Sequence, residues 1–173
     1  FPQFFGESQH LCADQQRDGA EWRARMHATQ AWIADLINLD RPVIAAVDGA
    51  AFGAGFSLAL AADFVLASTR ARFCMSFMRL GLVPDCGAMF TLPRVVGMQR
   101  AKELMLSARE VHASEAKALG IAMELHEPEQ LMPRALAMAA SFEGASPLAV
   151  SLIKRAMGGA GELSTVLDHE ADA

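Results

Sequence analysis

The segment with the most chemical capacity is Gly49-Ala50-Ala51-Phe52-Gly53-Ala54-Gly55. Glycines placed between a strand and a helix bring unpaired backbone N–H groups and the positive end of a helix dipole close to a ligand. Three functions use such a turn. As G-x-x-x-G-x-G after a strand it fits a dinucleotide-binding turn. The reductases that carry this spacing need a catalytic Tyr-x-x-x-Lys, however, and the chain contains no tyrosine. No acidic residue follows the second apolar run where a ribose would be held. As a nucleophile elbow, Gly55-Phe56-Ser57-Leu58-Ala59 lacks the last glycine of G-x-S-x-G, and only His169 sits late enough to serve such a serine. The third use is a tight packing turn between helix and strand.

Other reactive residue types form no motif. His10, His27, His112, His126 and His169 lie far apart and include no H-E-x-x-H, and Cys12, Cys74 and Cys86 include no C-x-x-C. Neither a metal site nor a disulfide framework is expected, and the odd cysteine count fits a reducing cytoplasm. Asp85, in Leu82-Val83-Pro84-Asp85-Cys86-Gly87, reads from its place as an N-cap for a short helix after Gly87.

The elements that position these residues follow from the apolar pattern. Trp22, Met26, Ile33, Leu36 and Ile37 fall near helical spacing and predict an amphipathic helix between Gly19 and Leu39. Arg41-Pro42 breaks it, and Val43 to Val47 is an unbroken apolar run typical of a strand covered on both faces. After the glycine turn, Phe56 to Ala62 reads as helix and Phe64 to Ala67 as a second buried strand, a βαβ unit. A third strand is expected over Ala71 to Met75, a loop over Gly81 to Pro84, and a helix over Met98 to Ser107. Ser114 to Leu119 reads as helix closed by Gly120 at C′, followed by a strand over Ile121 to Leu125 and helices over Glu129 to Phe142 and Pro147 to Met157. Alternating strands and helices at this density indicate an α/β domain.

Bulk properties set the outer limits. At 173 residues and 53% hydrophobic, the chain can bury one sizeable core. A net charge of -5 without a basic cluster argues against nucleic acid as a partner. Phe1 to Gly6 shows no secretory pattern. The apolar stretch Val43 to Ala67 carries Asp48, Asp63 and three glycines, so it reads as strand, turn and helix rather than as a membrane span.

Several segments together resemble one family. Arg41-Pro42-Val43-Ile44-Ala45-Ala46-Val47-Asp48-Gly49, Gly53-Ala54-Gly55, Leu58-Ala59-Leu60 and Ala61-Ala62-Asp63 are similar to the central segment of the crotonase (enoyl-CoA hydratase/isomerase) superfamily. Phe73, Leu80 to Gly87, Leu92-Pro93-Arg94-Val95-Val96-Gly97, Arg100-Ala101, Glu115-Ala116 and Leu119-Gly120-Ile121 continue the likeness in order and spacing. The resemblance spans Arg41 to Met157 and implies a ββα spiral core over residues 1–145. The start of a C-terminal helical region follows over 146–173, with the fold incomplete at both ends.

The resemblance also implies roles. The backbone N–H of Ala54, flanked by Gly53 and Gly55, takes the place of an oxyanion-hole donor for an acyl-CoA thioester, where alanine suffices because the main chain donates. A second donor is expected at Ala13 in His10-Leu11-Cys12-Ala13-Asp14, which lacks the family's glycine. Ser57 and Phe77 stand where hydratases carry two glutamates, and neither is a general base at neutral pH. Asp85 matches the acid of some isomerase branches, nearest to the epoxyphenylacetyl-CoA isomerases, so the resemblance favours a proton carrier there over the alternative of a helix cap. Phe77, Met75 and Met78, with Met89, are candidates to line an apolar acyl pocket, against the alternative that they pack the core. Such an enzyme takes coenzyme A as part of its substrate, needs no other cofactor, and assembles as a trimer or a dimer of trimers.

Overall fold

The computed structural model describes residues 31–159. Helix α1 is seen over residues 31–37 and stops ahead of Pro42, which cannot continue it. The apolar run that follows becomes β1 (Ile44–Val47). Gly49, at φ 119°, lets the chain turn out of that strand at once into a second, β2 (Ala50–Phe52), and Gly53 turns it again into α2 (Ala54–Ala61). The next passage repeats the order: β3 (Phe64–Ser68), β4 (Arg72–Cys74), a 3-10 turn (Ser76–Leu80), then α3 (Ala88–Val96) and α4 (Met98–Ser107). The chain closes with β5 (Val111–His112), α5 (Ala113–Ala118), β6 (Glu124–His126), α6 (Pro128–Ala140) and α7 (Pro147–Gly159).

The repeat makes two three-stranded sheets. In one, the order is β1-β3-β6, parallel throughout, with Ile44 opposite Phe64 and Leu66 opposite Glu124. In the other, the order is β2-β4-β5, with β2 parallel to β4 and β5 antiparallel to it. Each ββα passage therefore places one strand in each sheet, the spiral that the resemblance implies.

Burial explains why β1 and β3 lack polar alternation. Val65 and Ala67 face the main core, which holds Phe56, Phe73, Met75, Leu92, Leu104, Val111 and Ile121. Leu66 faces a second core with Leu131, Ala135 and Met138 of α6. Strand β3 thus lies between two apolar layers, so its consecutive residues Phe64 to Ala67 are all apolar. Phe56 and Phe73 are fully buried with ring centroids 5.2 Å apart, and full burial of each is worth about 2 kcal/mol.

Two expectations from sequence are corrected. The segment 49–55 is not one turn, because residues 50–52 pair with β4 as a strand. The strand expected over Ile121 to Leu125 begins later, since the Ile121 N–H bonds to the Ala116 carbonyl and Gly120 N–H to Lys117, a helix stop that uses the residues a strand would need. Gly120 is the left-handed C′ residue of that stop, as read from sequence. Among the described residues no helix is long and apolar enough to cross a membrane.

Ionic contacts tie the outer elements down. Asp63 accepts the Val43 N–H at 2.7 Å and the Lys154 ammonium at 2.7 Å, joining α7 to the entry of β1. Glu124 accepts a fork from Arg134 of α6 at 2.8 and 2.7 Å and meets His126 at 2.8 Å. Arg134 first, then His126, pull its carboxyl from an ordinary 4.5 down to about 2. A carboxyl depressed in the folded state adds stability that is complete above its unfolded value and is lost as pH falls through the folded one. Chemical denaturation from pH 6 down to 2 should therefore show Glu124→Gln less stable than the wild type near neutrality, with the gap closing between pH 4.5 and 2. A gap independent of pH would contradict the assignment.

Candidate active site

The site grows from Gly53. Its φ of 52° and ψ of -121° belong to a region that side-chain-bearing residues rarely adopt. A Cβ there would also lie 3.1 Å from Ser76 Oγ. The Gly53 N–H donates to the Cys74 carbonyl at 2.8 Å, which anchors the turn to the end of β4. The Gly53 carbonyl in turn accepts the N–H groups of Phe56 and Ser57, at 3.0 and 3.1 Å, and starts α2.

The first helical N–H groups, those of Ala54 and Gly55, have no intrahelical partner by geometry. Both residues are exposed, and among the described residues neither N–H meets an acceptor. Gly55 has no positive φ, and a Cβ built on it meets nothing within 4 Å. Packing within the described chain does not demand glycine at 55, and its absent side chain leaves the backbone there open. The two open donors and the helix dipole make a place where negative charge on an oxygen is stabilised.

Ser57 lies a full turn inside α2, fully buried, with its hydroxyl donating to the Gly53 carbonyl at 3.3 Å. An elbow serine stands exposed at the strand-to-helix turn, so the hydrolase reading of Gly55 to Ala59 falls. Phe77 is an apolar ring, 8% exposed, whose edge is 3.8 Å from where a Gly53 Cβ would sit. It walls one side of the glycine turn. Met78 is half exposed on the same 3-10 turn. Met75, by contrast, is 1% exposed within the main core, so it packs rather than opens to a ligand in this chain. Met89 is exposed on α3. Ala13 lies outside the described residues.

Asp85 precedes α3, which packs along α2. The sequence reading as an N-cap does not hold: the cap residue of α3 is Gly87, no side chain caps the helix, and it is the backbone carbonyl of Asp85 that accepts the Ala88 N–H, at 3.1 Å. The carboxylate takes no part in the cap, and the neighbouring Cys86 thiol meets it. Its Oδ1 is buried and, among the described residues, has no hydrogen-bond partner, which is rare for a buried polar atom and calls for a reason. The next two residues are both left-handed, Cys86 at φ 51° and Gly87 at φ 78°. A non-glycine residue held there stores strain of a few kcal/mol at most, of the kind that collects at working sites. Ile33 of α1 closes over Gly87, 3.4 Å from where its Cβ would be. Burial first, then the neighbouring Asp85, push the Cys86 thiol up to about 11, so it stays protonated. From sequence, Ile33 stands out only as part of a helix face and Cys86 only in the cysteine count and beside Asp85, and Ser76 does not stand out; none reads as part of the site. Among the described residues no three His, Cys, Asp or Glu side chains come together as a metal site.

The chain is similar in sequence and fold to known proteins. Residues 3–172 match the model of the enoyl-CoA hydratase/isomerase family. A carnitinyl-CoA dehydratase of Escherichia coli K12 is 39% identical over 124 residues, which is 72% of this chain and 48% of that protein. An enoyl-CoA hydratase/isomerase from Cupriavidus metallidurans CH34 superposes with a TM-score of 0.89 at 51% identity, over 95% of this chain and 63% of the other. A putative enoyl-CoA hydratase from Thermobifida fusca YX, solved in complex with acetoacetyl-CoA, gives 0.81 at 34% identity over 88% and 61%. The chain spans about half the length of the carnitinyl-CoA dehydratases it matches. With the glycine turn, the two-sheet spiral and these matches in agreement, the chain belongs to the enoyl-CoA hydratase/isomerase, or crotonase, family.

Proposed function

We propose that the protein is an acyl-CoA isomerase that moves a double bond along an unsaturated thioester. The observation that carries this reading is the Asp85 carboxylate, which caps no helix and has one oxygen buried and unpartnered among the described residues, in a chain where, by the family resemblance, Ser57 and Phe77 stand in place of both glutamates of a hydratase. The thioester oxygen lies at the open Ala54 N–H. Asp85 removes a proton from one carbon of the acyl chain, the electron pair moves towards the carbonyl, and the negative charge develops on that oxygen. The protonated Asp85 then returns the proton to the conjugate carbon, so the carboxylate is regenerated and no water is consumed. The apolar ring of Phe77 beside the turn suits an acyl chain better than a positioned water.

A second reading has its own support. Relatives at 38–39% identity are carnitinyl-CoA dehydratases, enzymes whose name denotes loss of water from a CoA thioester. In that case Asp85 handles a water or hydroxyl proton instead. Turnover in 18O-labelled water separates the two, because a hydratase puts solvent oxygen into product and an isomerase does not. A protein that binds acyl-CoA and turns over no thioester has lost catalysis.

Two substitutions test the roles. Asp85→Asn keeps the shape and removes the base, and should lower kcat by about 10²- to 10⁴-fold in an assay of double-bond migration on unsaturated CoA thioesters, with KM little changed. Unchanged turnover removes Asp85 from the mechanism. Ala54→Pro deletes the N–H at the first helical position, where proline is tolerated. It should cost about 10²- to 10³-fold in kcat while thermal melting stays close to that of the wild type. Full activity in Ala54→Pro would place the oxyanion elsewhere.

A further inference from the structure

Two non-glycine residues among those described hold a left-handed backbone, Cys86 and Ala108. Cys86 belongs to the Asp85 segment. Ala108, at φ 48°, ends α4, a position usually left to glycine because any Cβ is strained there. Its conformation aims the Ala108 carbonyl at the Ser76–Leu80 turn. Three donors converge on that oxygen: Arg79 Nε at 3.1 Å, Arg79 Nη2 at 2.7 Å and Cys74 Sγ at 3.1 Å. A guanidinium at the negative end of a helix is in its favoured place, and its charge-assisted bonds are roughly twice as strong as neutral ones.

The partners of this carbonyl lie on both sides of the glycine turn. Cys74 ends β4, and its own carbonyl receives the Gly53 N–H. Arg79 shares its 3-10 turn with Phe77, whose ring stands against Gly53. The acceptor is itself fixed. Arg109 bridges Glu103 of α4 and Glu115 of α5, each at 2.7 Å, and Glu110 pairs with Arg72 of β4 at 3.0 Å. A shift of the 108–110 junction would have to break all of these contacts.

We infer that Arg79 is a positioning residue for acyl-group selectivity: its fork on the Ala108 carbonyl holds the Ser76–Leu80 turn, and with it Phe77, at a set distance from the Ala54 N–H. Arg79 acts through Phe77 and does not touch the reacting atoms. This inference rests on the reading of the Ala54 turn as the thioester site. Lysine in its place keeps the charge and loses the two-pronged fork, so it should hold the turn only in part.

Calorimetric titration with free CoA, acetyl-CoA and octanoyl-CoA tests it on the wild type, Arg79→Lys, Arg79→Met and Phe77→Leu, with melting curves as a check on folding. Arg79→Met should change the ratio of octanoyl-CoA to acetyl-CoA affinity by about five-fold or more and leave free CoA within about two-fold, with Arg79→Lys between it and the wild type. Phe77→Leu should change the ratio too, and adding Arg79→Met to it should change it little further, as for residues acting through one contact. Equal weakening of all three ligands, an unchanged ratio, or fully additive effects would overturn the role. If Arg79→Met does not fold, a wild-type ratio in Arg79→Lys overturns it equally. A wild type that binds no CoA ester removes the thioester reading itself, and that result involves no Arg79 variant.

Discussion

The Gly53 N–H meets the Cys74 carbonyl at 2.8 Å, and most of what surrounds the site depends on that contact. It extends the parallel pairing of β2 with β4 by one residue and spends the glycine's own donor on the sheet. The chain is then free to start α2 immediately, with the Gly53 carbonyl taking the first two intrahelical bonds. The N–H groups of Ala54 and Gly55 are left over by the geometry of any helix start. Here they are also left in the open, because a strand end rather than a capping side chain supports the turn. Side-chain-bearing residues rarely adopt the backbone that this requires, and a Cβ there would crowd Ser76.

Around this fixed point, polar groups are arranged to hold neighbours rather than to be buried for their own sake. The Ala108 carbonyl gathers Arg79 and Cys74, Arg109 joins two helices, and Asp63 joins α7 to the start of β1. Exposed pairs such as Arg70 with Asp48 add little by themselves, since solvent screens them. Asp85 differs from all of them. Among the described residues it neither caps a helix nor pairs with a cation, and its buried Oδ1 meets no hydrogen-bond partner. A carboxylate kept in that condition on a strained segment costs stability, as residues at working sites often do, which is why we propose a chemical role for it.

Much of this was legible in the residues. Runs such as Phe64 to Ala67, apolar at every position, signalled strands covered on both faces, and β3 does lie between two cores. Gly120 after a helix with Lys117 in its last turn signalled a left-handed stop. The spiral and the place of Ala54 followed from resemblance, since the spacing of the glycines alone fitted a reductase, a hydrolase or a packing turn. Strand β2 was not legible: three residues between two glycines carry no periodicity, and their pairing with Arg72 to Cys74 exists only in three dimensions. The same holds for Arg79, an isolated cation in an apolar stretch whose partner is a backbone carbonyl 29 residues away. The methionines divided for a similar reason. Met75 and Met78 look alike in sequence, but one ends beneath β4 in the core and the other on the outside of the 3-10 turn.

The central claim is that backbone donors at the start of α2 polarise a thioester carbonyl. An isotope-edited infrared difference spectrum of an acyl-CoA labelled with 13C at the thioester carbonyl measures that polarisation directly. The carbonyl stretch should move to lower frequency on binding to the wild-type protein, and the shift should be reduced when the Ala54 N–H is absent. A bound thioester whose carbonyl stretch stays at its value in water, or whose shift is the same with and without that N–H, would contradict the account.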